Sequence, residues 1–247
     1  EAIVTLEYAD DEPSCDLADI SLEGFTAAVA DRLHRFLRLA RHAELSWHEL
    51  DVALRALGGS GAVADLAFVT ALGELLRLRK RSRVDVDVLC TLWGASIDTR
   101  GFKDRPSLYA RLFLSRQIAP GAASAFALDE ELEELDDADE PLAEGHYPII
   151  RAGLQINDDD LRRLIEGIFT SPPLLDLATL SALFRHVTLA RIVGLRIDEL
   201  LAVLTWSTVD PFASPANTFA FMDLVAEIER SQRRAAGGGH RRGRDQL

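Results

Sequence analysis

The amino-acid sequence predicts an all-α fold, an array of helical hairpins (irregular helix-pair repeats) with a central acidic insertion. Three observations predict it: apolar residues recur at helical spacing, a hairpin-sized segment recurs along the chain, and helix starts carry capping residues. The composition agrees, because 48% hydrophobic and 27% charged residues are typical of a globular protein with a large buried core.

The clearest hairpin lies in residues 33–57. Its first helix is marked by apolar residues at helical spacing, namely Leu33, Leu37 and Ala40. Ser46 and Glu49 then have the S-x-x-E spacing of a capping box, in which a hydroxyl and a carboxylate satisfy free backbone amides. The second helix is therefore predicted to begin near residue 47.

The second helix of this hairpin is predicted to bury one apolar stripe. Its large apolar residues are spaced three, four and three apart, which places them on one face. These residues are Trp47, Leu50, Leu54 and Leu57. His48 and Asp51 are expected in solvent.

The hairpin recurs at three further places. A shift of 150 positions aligns residues 39–54 with residues 189–204, and fainter copies at shifts of 39 and 111 place Val84 and Ile156 at the position of Leu45. A period near 40 residues is typical of helix-pair arrays. The alternative is that any helical chain rich in Leu, Ala and Arg aligns with itself in this way.

These patterns divide the chain into five regions. They are an irregular lead-in (1–20) with a possible strand at 3–6, a first helical block (21–128) capped at Ser21, an acidic linker or loop (129–146), a second helical block (147–230) and a flexible Gly/Arg-rich tail (231–247).

The acidic region accounts for most of the formal net charge of −13, because residues 129–144 hold ten carboxylates and no basic residue. Such a density of like charge is expected to repel itself and to remain exposed. The segment lacks the spacing and the turn glycine of a calcium loop.

A basic run at 77–83 is either a solvated rim or a surface for phosphate or an acidic partner.

No catalytic, cofactor-binding or metal-binding residue is predicted, and we do not expect an enzyme. His48 and Glu49 lack the second histidine of a zinc-hydrolase helix, and the glycines at 58–61 lack the lysine of a phosphate loop. Cys15 and Cys90 form no C-x-x-C pair. No apolar run is long enough to span a membrane, the first fifteen residues lack the basic start and apolar core of a signal peptide, and cytoplasmic folding is expected. The arginines near the C-terminus lie in a Gly-rich tail, so nucleic acid is not an expected partner.

Several sequence segments resemble a known family. They are WG-x-x-IDTRG-F at 93–102, SLYARLFL at 107–114, SCDL at 14–17 ahead of DRLHRFLRLAR at 31–41, and the run at 180–204 that leads into VDPFASPANTFAFM at 209–222. In this order they are similar to the A subunit of the bacterial toxin complexes, the Tc insecticidal toxins. The tail at 231–247 departs from the family, whose members continue there with another helical repeat.

This resemblance implies a fragment of a very large protein that assembles as a bell-shaped homopentamer. In that family an α-helical shell encloses a central channel, toxin B and C subunits supply the translocated toxin, and other regions bind the host-cell receptor. The matching region belongs to the shell, so the resemblance implies a structural role within a secreted or cell-surface toxin complex. A free-standing α-helical protein-interaction scaffold is the alternative.

Overall fold

The computed structural model describes residues 4–8, 19–58, 65–94, 96–115, 124–136 and 140–238. Within them lie ten α-helices and one two-stranded sheet, which confirms the predicted all-α fold. The elements are β1 (Thr5–Tyr8), β2 (Ile20–Glu23), α1 (Ala27–Ala43), α2 (Trp47–Leu57), α3 (Leu66–Ser82), α4 (Val86–Cys90), α5 (Leu108–Phe113), α6 (Tyr147–Leu154), α7 (Asp158–Ile168), α8 (Leu177–Val193), α9 (Ile197–Trp206) and α10 (Pro215–Gly238). Across the described residues, no helix combines the length and apolarity that crossing a membrane requires.

The chain divides into two compact units, residues 1–50 and 51–247. The first unit contains an antiparallel hairpin in which Leu6 lies opposite Leu22. The predicted strand at 3–6 is thus displaced to Thr5–Tyr8, and the second strand was not predicted. The segment SCDL at 14–17 lies outside the described residues.

The first helix begins later than the sequence indicated. Ser21 lies in β2, and the chain then turns at Gly24, which has a φ of 75°. Thr26 is the actual N-cap of α1, since its hydroxyl accepts a hydrogen bond from the Val29 amide at 3.3 Å. The prediction of Ser21 as the cap is therefore wrong, because the strand pairing and the turn delay the start of the helix.

All four predicted hairpin bends are present, and they share one geometry. The helix before each bend ends at a residue with positive φ, and these residues are Glu44 (53°), Arg83 (59°), Gln155 (53°) and Gly194 (73°). The next residue is the apolar position of the repeat, and the N-cap of the following helix comes directly after it. At three bends the amide of the apolar residue donates to the carbonyl five residues back, as in a Schellman motif: Leu45 to Ala40, Ile156 to Arg151 and Leu195 to Ala190. The faint copies are therefore real hairpins.

These bends yield a prediction about stability. Gln155 adopts a left-handed conformation that disfavours any side chain, so Gln155→Gly is expected to stabilise the protein by about 0.5 to 1 kcal/mol. The reciprocal change, Gly194→Gln, is expected to destabilise it by a similar amount, because a Cβ there meets only open space and adds only backbone strain. Urea denaturation of both variants measures this difference. Shifts of the same sign would show that the backbone conformation is not the cause.

The buried face of α2 differs from the predicted stripe. Leu50 is fully buried, but Trp47 is 58% exposed and Leu54 is only half-buried. Val52 and Ala53 are buried instead. The prediction that Trp47 is buried is wrong, because the spacing of large residues does not report where neighbouring elements lie.

One core in the second unit draws residues from both predicted helical blocks. Leu89 comes from the first block and Leu180 from the second, and both are fully buried. Leu135 of the acidic region belongs to the same core, and residues 128–135 form a loop closed by an antiparallel bridge between Leu128 and Leu135. Part of the segment is thus anchored rather than merely exposed, because Leu135 packs inward while the glutamates around Leu132 face solvent.

The start of the predicted Gly/Arg-rich tail is helical, since α10 continues to Gly238. Arg230 pairs with Glu227 and Arg233 with Glu229 one turn away, and such pairs stabilise a helix. Residues 239–247 lie outside the described part of the chain.

Candidate functional site

Three of the sequence segments that carry the family resemblance, at 93–102, 180–204 and 209–222, meet in space. The indole Nε1 of Trp93 donates a hydrogen bond to the hydroxyl of Thr218 at 2.9 Å, and the Ile97 amide donates to the hydroxyl of Ser181 at 2.9 Å. The Thr218 hydroxyl in turn donates to the carbonyl of Pro211 at 2.6 Å. These polar contacts fix an irregular segment after α4 against α8 and α10. The residues of these motifs therefore hold neighbouring elements of the fold together.

Ion pairs made by two buried carboxylates hold the same irregular segment. Asp87 is 3% exposed and accepts hydrogen bonds from Arg105, at 3.0 Å, and from Arg111. Asp98 is also buried, and it accepts a hydrogen bond from Arg55 at 3.0 Å. Because guanidinium groups neutralise both carboxylates, the arrangement provides charge balance inside the fold rather than a free acid and base.

A small cleft of about 200 Å³ lies beside these ion pairs. It is lined by side chains that include Asp87, Cys90, Ser96 and Asp98. Cys90 is buried, so its thiol is shielded from solvent. Within the residues that the structure describes, no group of three or more His, Cys, Asp or Glu side chains is placed to hold a metal ion.

His186 is a buried histidine with a structural environment. Its Nδ1 lies 2.7 Å from the Ala182 carbonyl, to which the protonated nitrogen donates, and its ring packs on Phe212 with centroids 4.7 Å apart. Burial lowers the pKa of His186, although the Ala182 carbonyl opposes the shift. The imidazole therefore stays neutral to lower pH than a free histidine would.

The strongest candidate for a functional surface is an apolar groove between α9 and α10. The groove has a volume of about 260 Å³ and is lined by Ala202, Val203, Trp206, Ser207, Leu224 and Ile228. Trp206 is 87% exposed at its edge. Tryptophan is enriched in the centres of protein interfaces, so this α9–α10 groove is suited to contact with another protein surface.

Sequence reasoning did not identify this groove. One signal was available, because Trp206 lies nine residues after the buried Ile197 and therefore on the opposite side of α9 at 100° per residue. A large aromatic residue opposite the buried stripe indicates a second contact face. The sequence alone does not show that α10 supplies the other wall of the groove.

Comparison with known proteins gives a likeness of fold. No protein-family model and no curated protein matches the sequence. Among solved structures, the chain is similar to the cryo-EM structure of Yersinia pseudotuberculosis TcaA-TcaB, with a TM-score of 0.54 and 17% sequence identity. The match covers 80% of this chain and 10% of that chain, so the chain spans about a tenth of that protein's length.

Proposed function

We propose that this chain is a structural segment of the α-helical shell of a Tc-type toxin A subunit. The proposal is carried by the likeness of fold to TcaA-TcaB over 80% of the chain. The order of the resembling segments supports it independently, because that order is a property of the amino-acid sequence. In this role the chain helps to enclose a channel and belongs to a secreted or cell-surface complex.

The packing of the chain supports a mechanical role. In helix-pair arrays each repeat packs on its neighbours, and at each bend of this chain a residue with a left-handed conformation ends the helix. The ion pair between the buried Asp87 and the partly exposed Arg111 ties the irregular segment after α4 into the core. We propose that the chain acts through rigidity and surface contacts rather than by catalysis.

The α9–α10 groove supplies a contact face for this role. Its exposed Trp206 and apolar lining suit burial against the next element of a larger assembly. In a homopentameric A subunit that element belongs either to the same polypeptide or to a neighbouring protomer. Toxin B and C subunits and the host-cell receptor would bind through other regions.

Electron microscopy of particles made from the full reading frame tests the assignment. We expect a pentamer in which this segment lies in the outer helical shell, and genes for toxin B and C subunits beside the reading frame. A reading frame that ends near this segment, without such neighbours, would favour the free-standing scaffold. A monomeric full-length product would contradict the proposal.

The isolated chain is expected to leave membranes intact. No described helix is long and apolar enough to cross a bilayer whose hydrocarbon core is about 30 Å thick. Liposomes loaded with a self-quenched dye should therefore retain it at acidic, neutral and alkaline pH, with a pore-forming peptide as the positive control. Release by the chain alone would count against a purely structural shell segment.

A further inference from the structure

A basic groove lies between α3 and α10. It has a volume of about 470 Å³ and is lined by Glu74, Arg77, Lys80, Arg81, Ala216, Phe219 and Asp223. The guanidinium carbons of Arg77 and Arg81 lie 5.1 Å and 5.9 Å from the centroid of the Phe219 ring. The groove thus combines an apolar floor with cationic walls.

The positive charge of this groove remains available to a partner. Arg77 pairs with Glu74 at 2.9 Å and Arg81 with Asp223 at 3.4 Å, and both arginines are exposed. Exposed pairs of this kind contribute at most about 1 kcal/mol and exchange readily. Lys80 is also exposed, and the run 77–83 holds five basic residues. An incoming acidic group therefore competes with local pairs that are weak.

The acidic turn, residues 129–136, has the complementary character. The Asp129 carboxylate accepts a hydrogen bond from the Glu133 amide at 2.8 Å, and the Thr99 hydroxyl donates to the Leu132 carbonyl at 2.6 Å. These bonds hold the turn in one shape. Exposed glutamates lie on both sides of Leu132, and they are Glu130, Glu131, Glu133 and Glu134. Glu133 forms an exposed ion pair with Arg100 at 3.2 Å.

The apex of the acidic turn carries two energetic costs. Leu132 has a φ of 59°, a conformation that side chains disfavour, and its side chain is 40% exposed. The exposed leucine is the second cost, since apolar surface in contact with water is unfavourable. Burial of the Leu132 side chain against an apolar surface would remove the cost of its exposure. The free energy gained would also offset the cost of its positive φ.

We propose that the acidic turn of one copy of this chain docks into the basic groove of a second copy. Leu132 contacts the Phe219 ring, and the flanking glutamates pair with Arg77, Lys80 and Arg81. Because the two surfaces differ, the contact is head to tail, so repeated copies form a ring or an open chain. This inference depends on the charges and shape of the chain and goes beyond the proposed shell function.

Leu132→Gly separates docking from folding. Glycine suits the positive φ, so the variant should be at least as stable as the parent in urea denaturation. Loss of the apolar apex should nevertheless raise the dissociation constant of self-association by about tenfold in analytical ultracentrifugation. Unchanged association of a folded Leu132→Gly chain would overturn the proposal.

Charge reversal gives a second, independent test. The acidic-turn variant Glu130→Lys/Glu131→Lys and the groove variant Lys80→Glu/Arg81→Glu should each fail to self-associate, whereas an equimolar mixture of the two should associate. The control Asp104→Lys/Glu166→Lys reverses two exposed carboxylates elsewhere and should behave as the parent. Failure of the mixture to associate, or loss of association in the control, would contradict the specific contact.

Salt concentration distinguishes this contact from apolar association. Raising NaCl from about 0.05 M to about 0.5 M screens exposed charges, so self-association should weaken by about tenfold or more. Association through the α9–α10 groove would instead persist or strengthen. A parent chain that stays monomeric at low salt, or that associates more tightly at high salt, would overturn the proposal.

Discussion

Gly153→Ala is expected to destabilise the protein by about 3 kcal/mol or more. Gly153 is buried in α6, where α6 packs against α5. A Cβ at this position would lie 2.4 Å from the carbonyl oxygen of Leu112 and 3.0 Å from Cε1 of Phe113. The first of these atoms belongs to the backbone, so a side-chain rotation cannot relieve the clash. Urea denaturation should show a lower midpoint, and α5 and α6 must separate for the variant to fold.

The matched control is the same substitution in α3. Gly73 lies inside that helix, and a Cβ there would meet no atom within 4 Å. Gly73→Ala is therefore expected to stabilise the protein by about 1 kcal/mol, because alanine favours the helix over glycine. Opposite signs for the two glycines would confirm that close helix packing sets the effect. Equal effects would show that α5 and α6 do not approach as described.

Asp87→Ala is expected to cost about 2 to 4 kcal/mol of stability. Asp87 is almost fully buried and forms ion pairs with Arg105 and Arg111, whose side chains are 43% and 33% exposed. Removal of the carboxylate leaves two guanidinium groups with partial access to water, so the cost is large but below that of a fully buried charge. Guanidinium or urea denaturation measures the loss.

An exposed ion pair provides the control for Asp87. Asp51 pairs with Arg55 one helical turn away, and both side chains are well exposed. Asp51→Ala is expected to cost less than about 0.5 kcal/mol, because water and salt screen such a pair. A loss for Asp51→Ala as large as that for Asp87→Ala would show that burial is not what makes the Asp87 interactions strong.

The hairpin bends show how far local sequence determines this fold. The capping box at Ser46 and Glu49 forms as predicted, with the Glu49 carboxylate 2.8 Å from the Ser46 amide. Asn157 likewise caps α7 through the Asp160 amide at 2.7 Å. These interactions join residues three positions apart, so the pattern of side chains is sufficient to identify them. The helix content, the bends and the repeat follow from such local interactions.

The acidic region shows where local reasoning fails. Its charge density indicates exposure, which holds for the glutamates around Leu132, but Leu135 packs into the core. Phe126 just before it accepts a hydrogen bond through its carbonyl from the Tyr109 hydroxyl at 3.0 Å. The burial of a residue in this region depends on partners distant in the sequence, and net charge carries no information about them.

The candidate surfaces were decided by tertiary structure. The sequence identifies the basic run at 77–83 and an acidic partner as one of its options, but only the packing of α10 beside α3 places Phe219 between Arg77 and Arg81. Likewise, Trp93 and Thr218 are 125 positions apart and meet only in the fold. Helical periodicity specifies the angle of a side chain around the axis of its own helix. Burial and recognition depend on which other element packs against that side chain, and the packing of the whole core determines which element this is.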